Sequence, residues 1–428
     1  MYIGMDPRTL LLAILTLAKY NNSVAATDCN PSMYEPQPRI GLLISPILSI
    51  KSVNEIVIYW NNLNYRGKDV IVLYEETLGG GLKPIYSTAL ESPSGSDATG
   101  IQAKFIPSSN LTFVQQCLQY HVGWLRDGVV LKKNCIKTEP NWMHDRKDYL
   151  GWLRMSKVFI PGAHNAATYV IHERPGIENF IQKYAVTQDI DILSQLIYGV
   201  RYLDIRVGHY PKTKEIWWIN HGIYRAVPIQ NVVDQVKTFL DNTQEIVIFD
   251  VQEFPIGFNN ITVHRDFVAH LKEQFADYLL PKYYGWTTTL GTIWSTGKRL
   301  IIGYDNSRVV GEHDHVWQCV THQWGNVRTN QDLFDYLDRT ERSFRGVNRI
   351  VPRSAMAELT PNTLDVILNR LGGLRKMAQG INLNITNWYS NLWQDTANIV
   401  SVDFLRNTGI VETAIEANDR RKLHCRVN

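Results

Sequence analysis

Beyond Trp142 the chain changes rhythm, and short apolar runs rich in β-branched residues begin to alternate with segments of helical periodicity. This alternation constrains the fold more than any other feature. The strand-like runs are Lys157 to Ile160, Val200 to Val207, Glu215 to Asn220, Glu245 to Val251, Arg299 to Tyr304 and Asn398 to Phe404. Helical patterns fit between them over Asp191 to Gly199, Asn231 to Asp241, His264 to Leu280, Thr329 to Thr340 and Thr363 to Ala378. Parallel strands need crossovers, so this alternation over about 280 residues predicts an α/β TIM-type barrel. A doubly wound open sheet is the other solution; the lack of a Gly-rich phosphate loop after the first run lowers it.

The preceding stretch, Pro38 to about Pro140, reads differently. Runs such as Ile56 to Trp60 and Val70 to Tyr74, and the hairpin Val114 to Ile136, are β-rich and separated by turn residues, with almost no helical period. They predict a small all-β, immunoglobulin-like sandwich, with Gly79 to Gly81 and Ser92 to Gly100 as loops. A chain of 428 residues exceeds what one core usually organises, so the expected division is a sandwich over residues 28–141 and a barrel over 142–428.

The formal charge is only +3, too little for the basic face that a nucleic-acid partner requires, while 44% hydrophobic residues supply material for packed cores. Leu10 to Ala18 form an apolar run, and Val24-Ala25-Ala26 follow, predicting a signal peptide over residues 1–26 and a secreted, extracellular product. As a membrane anchor the run falls short of the roughly 20 residues that span a bilayer, and no later stretch is apolar enough. On a secretory route cysteines can oxidise. Cys117 and Cys135 flank the turn Arg126-Asp127-Gly128 at nearly equal distances, which fits a cross-strand disulfide. Cys29, Cys319 and Cys425 cannot be paired from sequence. Sequons at Asn110, Asn260 and Asn384 fit glycosylation.

In a barrel of this kind reactive side chains sit at the C-terminal ends of strands, so polar residues closing the apolar runs are the candidates. They are His164 and Asn165 after VFIPGA, Asp204 and Arg206 in GVRYLDIRV, His221 in IWWINHG, and Asp403 in NIVSVDF. Singly, a strand-end histidine is commonly a hydrogen-bonded support and an Asp commonly caps the next helix. Jointly, two histidines, an arginine and a carboxylate on the first, second, third and last strands would converge at one mouth. Imidazoles exchange protons near neutral pH and a guanidinium meets phosphate bidentately, so the set suits phosphodiester chemistry. His313-Asp314-His315 has metal-ligand spacing, but an H-x-H in a polar loop is more often solvated surface. Trp217, Trp218 and Trp324 offer faces to lipid or to the core.

The segments IPGAHNAATY, GVRYLDIRV, WINHGIY, EIVIFDVQEF and IVSVDFL resemble the successive strands of the phosphatidylinositol-specific phospholipase C X domain, over roughly Trp152 to Leu405. The whole chain resembles animal X-domain proteins that carry an N-terminal β-sandwich. The resemblance implies a phosphodiesterase acting on a phosphatidylinositol-like phospholipid at a membrane surface. It makes His164 the base for the inositol 2-hydroxyl and His221 the acid for the departing diacylglycerol oxygen. Asp403 would orient His164, and Arg206, beside Asp204, would hold the phosphoryl oxygens. Calcium-dependent relatives carry two acidic residues two positions apart on the second strand; here the pair is Asp204 and Arg206, which implies the metal-independent type with no cofactor. Asn165 stands where metal-independent relatives usually have Asp. Gln252-Glu253 and Tyr304-Asp305 replace basic ring-binding residues, so Asn165, Gln252, Glu253 and Tyr304 are the expected headgroup contacts. The rival readings are a lipid-binding or adhesive module without turnover and a metal-dependent phosphodiesterase on the same barrel.

Overall fold

The computed structural model describes residues 37–424; the expected signal peptide, Cys29 and Cys425 lie outside the described residues. Seven strands come first: β1 (Arg39–Ile44), β2 (Glu55–Asn61), β3 (Val70–Glu76), β4 (Leu82–Ala89), β5 (Gly95–Gln102), β6 (Cys117–Arg126) and β7 (Val129–Lys137). They pair antiparallel in two sheets, β1-β2-β5 and β4-β3-β6-β7. Alternate residues point inwards, so Ile56, Ile58 and Trp60 of one sheet meet Ile71, Leu73, Tyr120, Val122 and Trp124 of the other in one core. The β6–β7 turn has Asp127 at φ 48° and Gly128 at φ 81°, the left-handed pair a tight hairpin demands. Cys117 and Cys135 are joined in a disulfide with their Cα atoms 5.6 Å apart. Strand β5 overturns the loop expected over Ser92 to Gly100. Its polar composition hid it, because it holds its place through the backbone ladder to β2.

The remaining strands are β8 (Ile160–Ala163), β9 (Tyr202–His209), β10 (Trp217–His221), β11 (Tyr224–Pro228), β12 (Val247–Ile256), β13 (Leu300–Tyr304), β14 (Val316–Gln318), β15 (Thr321–Trp324), β16 (Arg353–Met356) and β17 (Ile399–Val402). Eight of them form a curled parallel sheet in the order β14-β13-β12-β9-β8-β17-β16-β15, with helices between successive members. The ends of this path, β14 and β15, are not paired among the described residues, so the curl stays open there. β10 departs from expectation: it runs antiparallel to β9 and forms a hairpin with β11. The physical reason is reach, since the link 210–216 is too short for the crossover that a parallel neighbour needs. β14, β15 and β16 were invisible in the sequence because three or four residues show no period. The helix expected over Thr363 to Ala378 is two, Thr363–Ile367 and Leu374–Asn391, broken by Asn369, Gly372 and Gly373 at positive φ.

At the N-terminal end of the curled sheet the Arg201 guanidinium is fully buried. It donates to Glu245 at 2.6 Å and to the carbonyls of Leu196, Val200, Glu139 and Pro140, tying the segment that leaves the sandwich to the sheet. Arg39 and Lys137 of the sandwich pair with Glu416 and Glu412 of the helix Ile410–His424 at 2.6 and 2.9 Å. The Asn384 sequon lies inside the helix Leu374–Asn391, with the Thr386 hydroxyl buried and bonded to the Asn382 carbonyl, an environment unsuited to a surface glycan. No helix among the described residues is long and apolar enough to cross a membrane.

Candidate active site

Strand β17 lies beside β8 in parallel register, with Val402 opposite Ala163, so the residues following each strand meet. Asp403 and His164 are those residues, and Asp403 Oδ1 is 2.7 Å from His164 Nδ1. On the opposite side of the ring Arg206 donates from Nη2 to His164 Nε2 at 3.0 Å. A guanidinium can only donate and a carboxylate can only accept, so these two bonds together select the neutral imidazole with its proton on Nδ1.

Arg206 and Asp204 are two positions apart on β9 and therefore share a face. Arg206 also binds Asp204 at 3.4 Å and Glu253 at 2.8 Å, while the Asn165 main-chain N–H donates to Asp204 at 3.0 Å. The neighbouring cation holds Asp204 ionised: burial would raise its pKa, but Arg206, with His322 and His164, outweighs burial and lowers it to about 2. His221 stands across the cleft, its ring centre 6.4 Å from that of His164 and nearly perpendicular to it. Its Nδ1–H donates to the Ala185 carbonyl at 2.8 Å, leaving Nε2 with the lone pair.

The two imidazoles are pushed apart in proton affinity. Burial disfavours the charge on His164, but Glu358 and Asp403 overcome it and raise the pKa to about 9. For His221 burial and then Arg206 act in the same direction, lowering the pKa to about 4. The Arg206 bond forms only to a neutral ring and so opposes Glu358 and Asp403; wherever these carboxylates prevail and His164 is charged, the order is opposite to the one required by His164 as base and His221 as acid.

Two expected headgroup contacts have protein partners of their own. Gln252 spends its amide on Asp250 at 2.6 Å and on the Val320 carbonyl at 2.8 Å, a tie within the sheet. Tyr304 turns outwards, its hydroxyl 2.9 Å from His264 and its ring packed among Phe254 and Phe267. Position at a strand's end did not reveal which face each side chain takes. Glu253 does reach the site, through Arg206, and Asn165 is buried with neither side-chain polar atom hydrogen-bonded. Trp217 is core, Trp218 is stacked by Arg225 at 4.5 Å, and Trp324 is exposed. The His313 and His315 rings lie 5.4 Å apart, but His315 is buried rather than solvated. Neither belongs to a ligand trio among the described residues, where the one such group, Cys117, His121 and Cys135, contains the disulfide.

Sequence reasoning missed Glu358, His322, Tyr202 and Asp250. The Tyr202 hydroxyl donates to Asp250 at 2.7 Å and so accepts from His322 Nε2, also at 2.7 Å. Burial raises Asp250 to about 7 despite its hydrogen bonds, and lowers His322 to about 4. Gly303 permits this network, because a Cβ there would sit 1.8 Å from Asp250 Oδ1. Glu358 follows the C-terminal end of β16, so the rule that found His164 would have found it had that short strand been recognised; His322 lies within β15, outside that rule.

No family model matches the chain. It is 25% identical over 313 residues to human PI-PLC X domain-containing protein 1, a match covering 67% of this chain and 94% of that protein. Over 329 residues it is 25% identical to mouse PI-PLC X domain-containing protein 2, covering 69% and 94%. Among solved structures it shares the fold of Staphylococcus aureus phosphatidylinositol-specific phospholipase C, with a TM-score of 0.50, 14% identity, and coverage of 65% of this chain and 97% of that one. Over about two thirds of its length the chain is similar to PI-PLC X domain-containing proteins.

Proposed function

We propose that this chain is a phosphodiesterase of phospholipase C type that cleaves a phosphatidylinositol-like lipid without a metal. The observation that carries the reading is the row Asp403, His164, Arg206 with His221 across the cleft. When a phosphodiester enters, Arg206 turns from His164 to the phosphoryl oxygens and frees the Nε2 lone pair. His164 Nε2 takes the proton of the inositol 2-hydroxyl as its oxygen bonds to phosphorus. The bond from phosphorus to the diacylglycerol oxygen breaks, and His221 Nε2 protonates that oxygen, leaving a cyclic inositol phosphate. Because His221 is neutral in the free protein, the anionic substrate has to raise its proton affinity before this step. Arg206 is already paired with Asp204 and Glu253, the carboxylates a divalent cation would need.

The surroundings support a lipid surface as the source of substrate. Phe180 and Ile181 are exposed on a helix whose last residue, Ala185, holds His221. Leu364 and Ile367 are exposed on the helix Thr363–Ile367, joined to the first through Tyr184 and Asn369 at 2.9 Å. Ile223 and Trp324 add exposed apolar groups beside His221 and at the end of β15. Exposed apolar groups on segments tied to the site suit an interface more than free solution. The sandwich, with antiparallel sheets of three and four strands, is read as immunoglobulin-like, and the apolar run Leu10 to Ala18 and the Cys117–Cys135 disulfide support a reading of secretion. Residues 28–141 and 142–428 are read as the two domains.

The test is turnover of phosphatidylinositol vesicles followed by phosphorus NMR. His164→Ala and His221→Ala should each lower kcat by at least about 10²-fold, and excess EDTA should change nothing. Unchanged turnover in either variant, or loss in EDTA restored by Ca²⁺, would overturn the mechanism. Binding to the vesicles without turnover would instead favour a lipid-binding module, a reading to which the resting protonation of the two histidines lends weight.

A further inference from the structure

The segment Ala185 to Gln188 ends the helix Phe180–Ala185, and three of its residues hold parts of the site that come from different strands. The Ala185 carbonyl accepts from His221 Nδ1 at 2.8 Å. The Thr187 hydroxyl donates to the Asn165 carbonyl at 3.0 Å, and the Thr187 carbonyl accepts from the Phe404 main-chain N–H at 2.7 Å. Gln188 is fully buried. Its Nε2 donates to the carbonyls of His164 at 3.1 Å and Val402 at 2.9 Å, while its Oε1 accepts from the Leu405 main-chain N–H at 3.1 Å. A carbonyl can only accept and an N–H can only donate, so these partners fix which way the amide points.

The three groups that Gln188 binds bracket one contact. The His164 N–H donates to the Val402 carbonyl at 3.1 Å and joins β8 to β17 there. Beyond that bond the chain leaves β17 through Asp403 and Phe404, and Phe404 stands at φ 49°, in the left-handed region that a bulky side chain avoids. Such a turn keeps its shape only where its surroundings impose it. Gln188 grips it on both sides, at Val402 before Asp403 and at Leu405 after Phe404, and Asn382 holds the Asp403 carbonyl at 2.9 Å. The junction uses a side chain that donates twice and accepts once. Met would remove all three bonds, Glu would set a carboxylate against two carbonyls, and the Asn amide is one carbon shorter. The other charged or titratable groups at the His164 ring, Glu358, Arg206, Asp204 and His221, come from β9, β10 and the segment after β16, outside these bonds.

We propose that Gln188 is a positioning residue: by gripping the chain on either side of Asp403 it fixes that carboxylate against the His164 ring. The inference rests on the phospholipase reading for what the pair does, but its first readout needs no turnover. The His164 imidazole is titrated by ¹H–¹⁵N NMR in the full chain, in Gln188→Met, in Asp403→Asn and in the double variant. In Gln188→Met the His164 pKa should fall by about half a unit to one unit, a part of the roughly 1 to 2 units that a charged hydrogen bond carries. In the Asp403→Asn background the same substitution should move it by less than about 0.3 unit, because effects that pass through one contact do not add. Gln188→Asn serves if the Met variant fails to fold, and the same fall is expected of it. With phosphatidylinositol vesicles as substrate, Gln188→Met should lower kcat by about 10- to 100-fold with little change in KM, the scale of a misplaced catalytic group. An unmoved His164 pKa, or an equal fall with and without the Asp403 carboxylate, would overturn the proposal and leave Gln188 a support for the fold alone. If the pKa values behave as expected while the parent chain does not turn the vesicles over, the catalytic reading falls and this one stands.

Discussion

Replacing Asp403 with Asn tests the electrostatic account of the site without relying on any substrate. The variant keeps the shape, and the Asp403 main-chain oxygen keeps its bond from Asn382 at 2.9 Å. What it removes is a negative charge 2.7 Å from His164 Nδ1. A hydrogen bond to a charged partner is worth about 1.5 to 3 kcal/mol, and about 1.4 kcal/mol corresponds to one pKa unit, so the His164 pKa should fall by about 1 to 2 units. It starts at about 9, against 6.5 for the free side chain. Glu358 remains, so the value should stay above the free one. The shift links to stability with a definite sign. Because the folded pKa is raised, the stabilisation is present in full below about pH 6.5 and lost as the pH rises through about 9, to a total of at most about 3 kcal/mol. In Asp403→Asn that loss should be smaller and finish at lower pH. Titration of the His164 imidazole by ¹H–¹⁵N NMR reads the pKa directly, and urea unfolding at pH 6 and pH 10 reads the stability. A shift of less than about half a unit, or a rise, would refute the claim that this carboxylate governs the ring.

Other perturbations probe the scaffold. Arg201→Met should destabilise the protein by about 3 to 5 kcal/mol, because it leaves Glu245 buried and without its cation; a loss below about 1 kcal/mol in denaturant unfolding would show that the pair is dispensable. Cys117→Ala with Cys135→Ala opens a cross-link of sequence separation 18. Chain entropy puts its worth at about 3 kcal/mol. Thermal unfolding should show the loss while leaving the NMR signals of His164 and His221 in place. Movement of those signals would mean that the sandwich and the site are coupled more tightly than their separate cores imply.

The linear pattern determined a good deal. Alternation of apolar runs and helical segments foretold the parallel sheet, and the placement of the last strand beside the first foretold that Asp403 would meet His164. Period two along β9 put Asp204 and Arg206 on one face, and the Asp127-Gly128 turn brought Cys117 to Cys135. These features depend on spacing along one element or on the cyclic order of strands, and both can be read from a string of residues. Tertiary structure alone decided the rest. Gln252 and Tyr304 sit at strand ends as expected, but which face they present is set by the register with β13, β9 and the packed helix Ile261–Phe275. β10 became an antiparallel hairpin because a short link has no reach. Glu358 follows, and His322 lies on, a strand too short to show a period. The protonation of His164 and His221 was the least legible property. It is a sum of burial and of charges brought from β9, β16 and β17, and such a sum exists only when elements distant in sequence share one low-dielectric space.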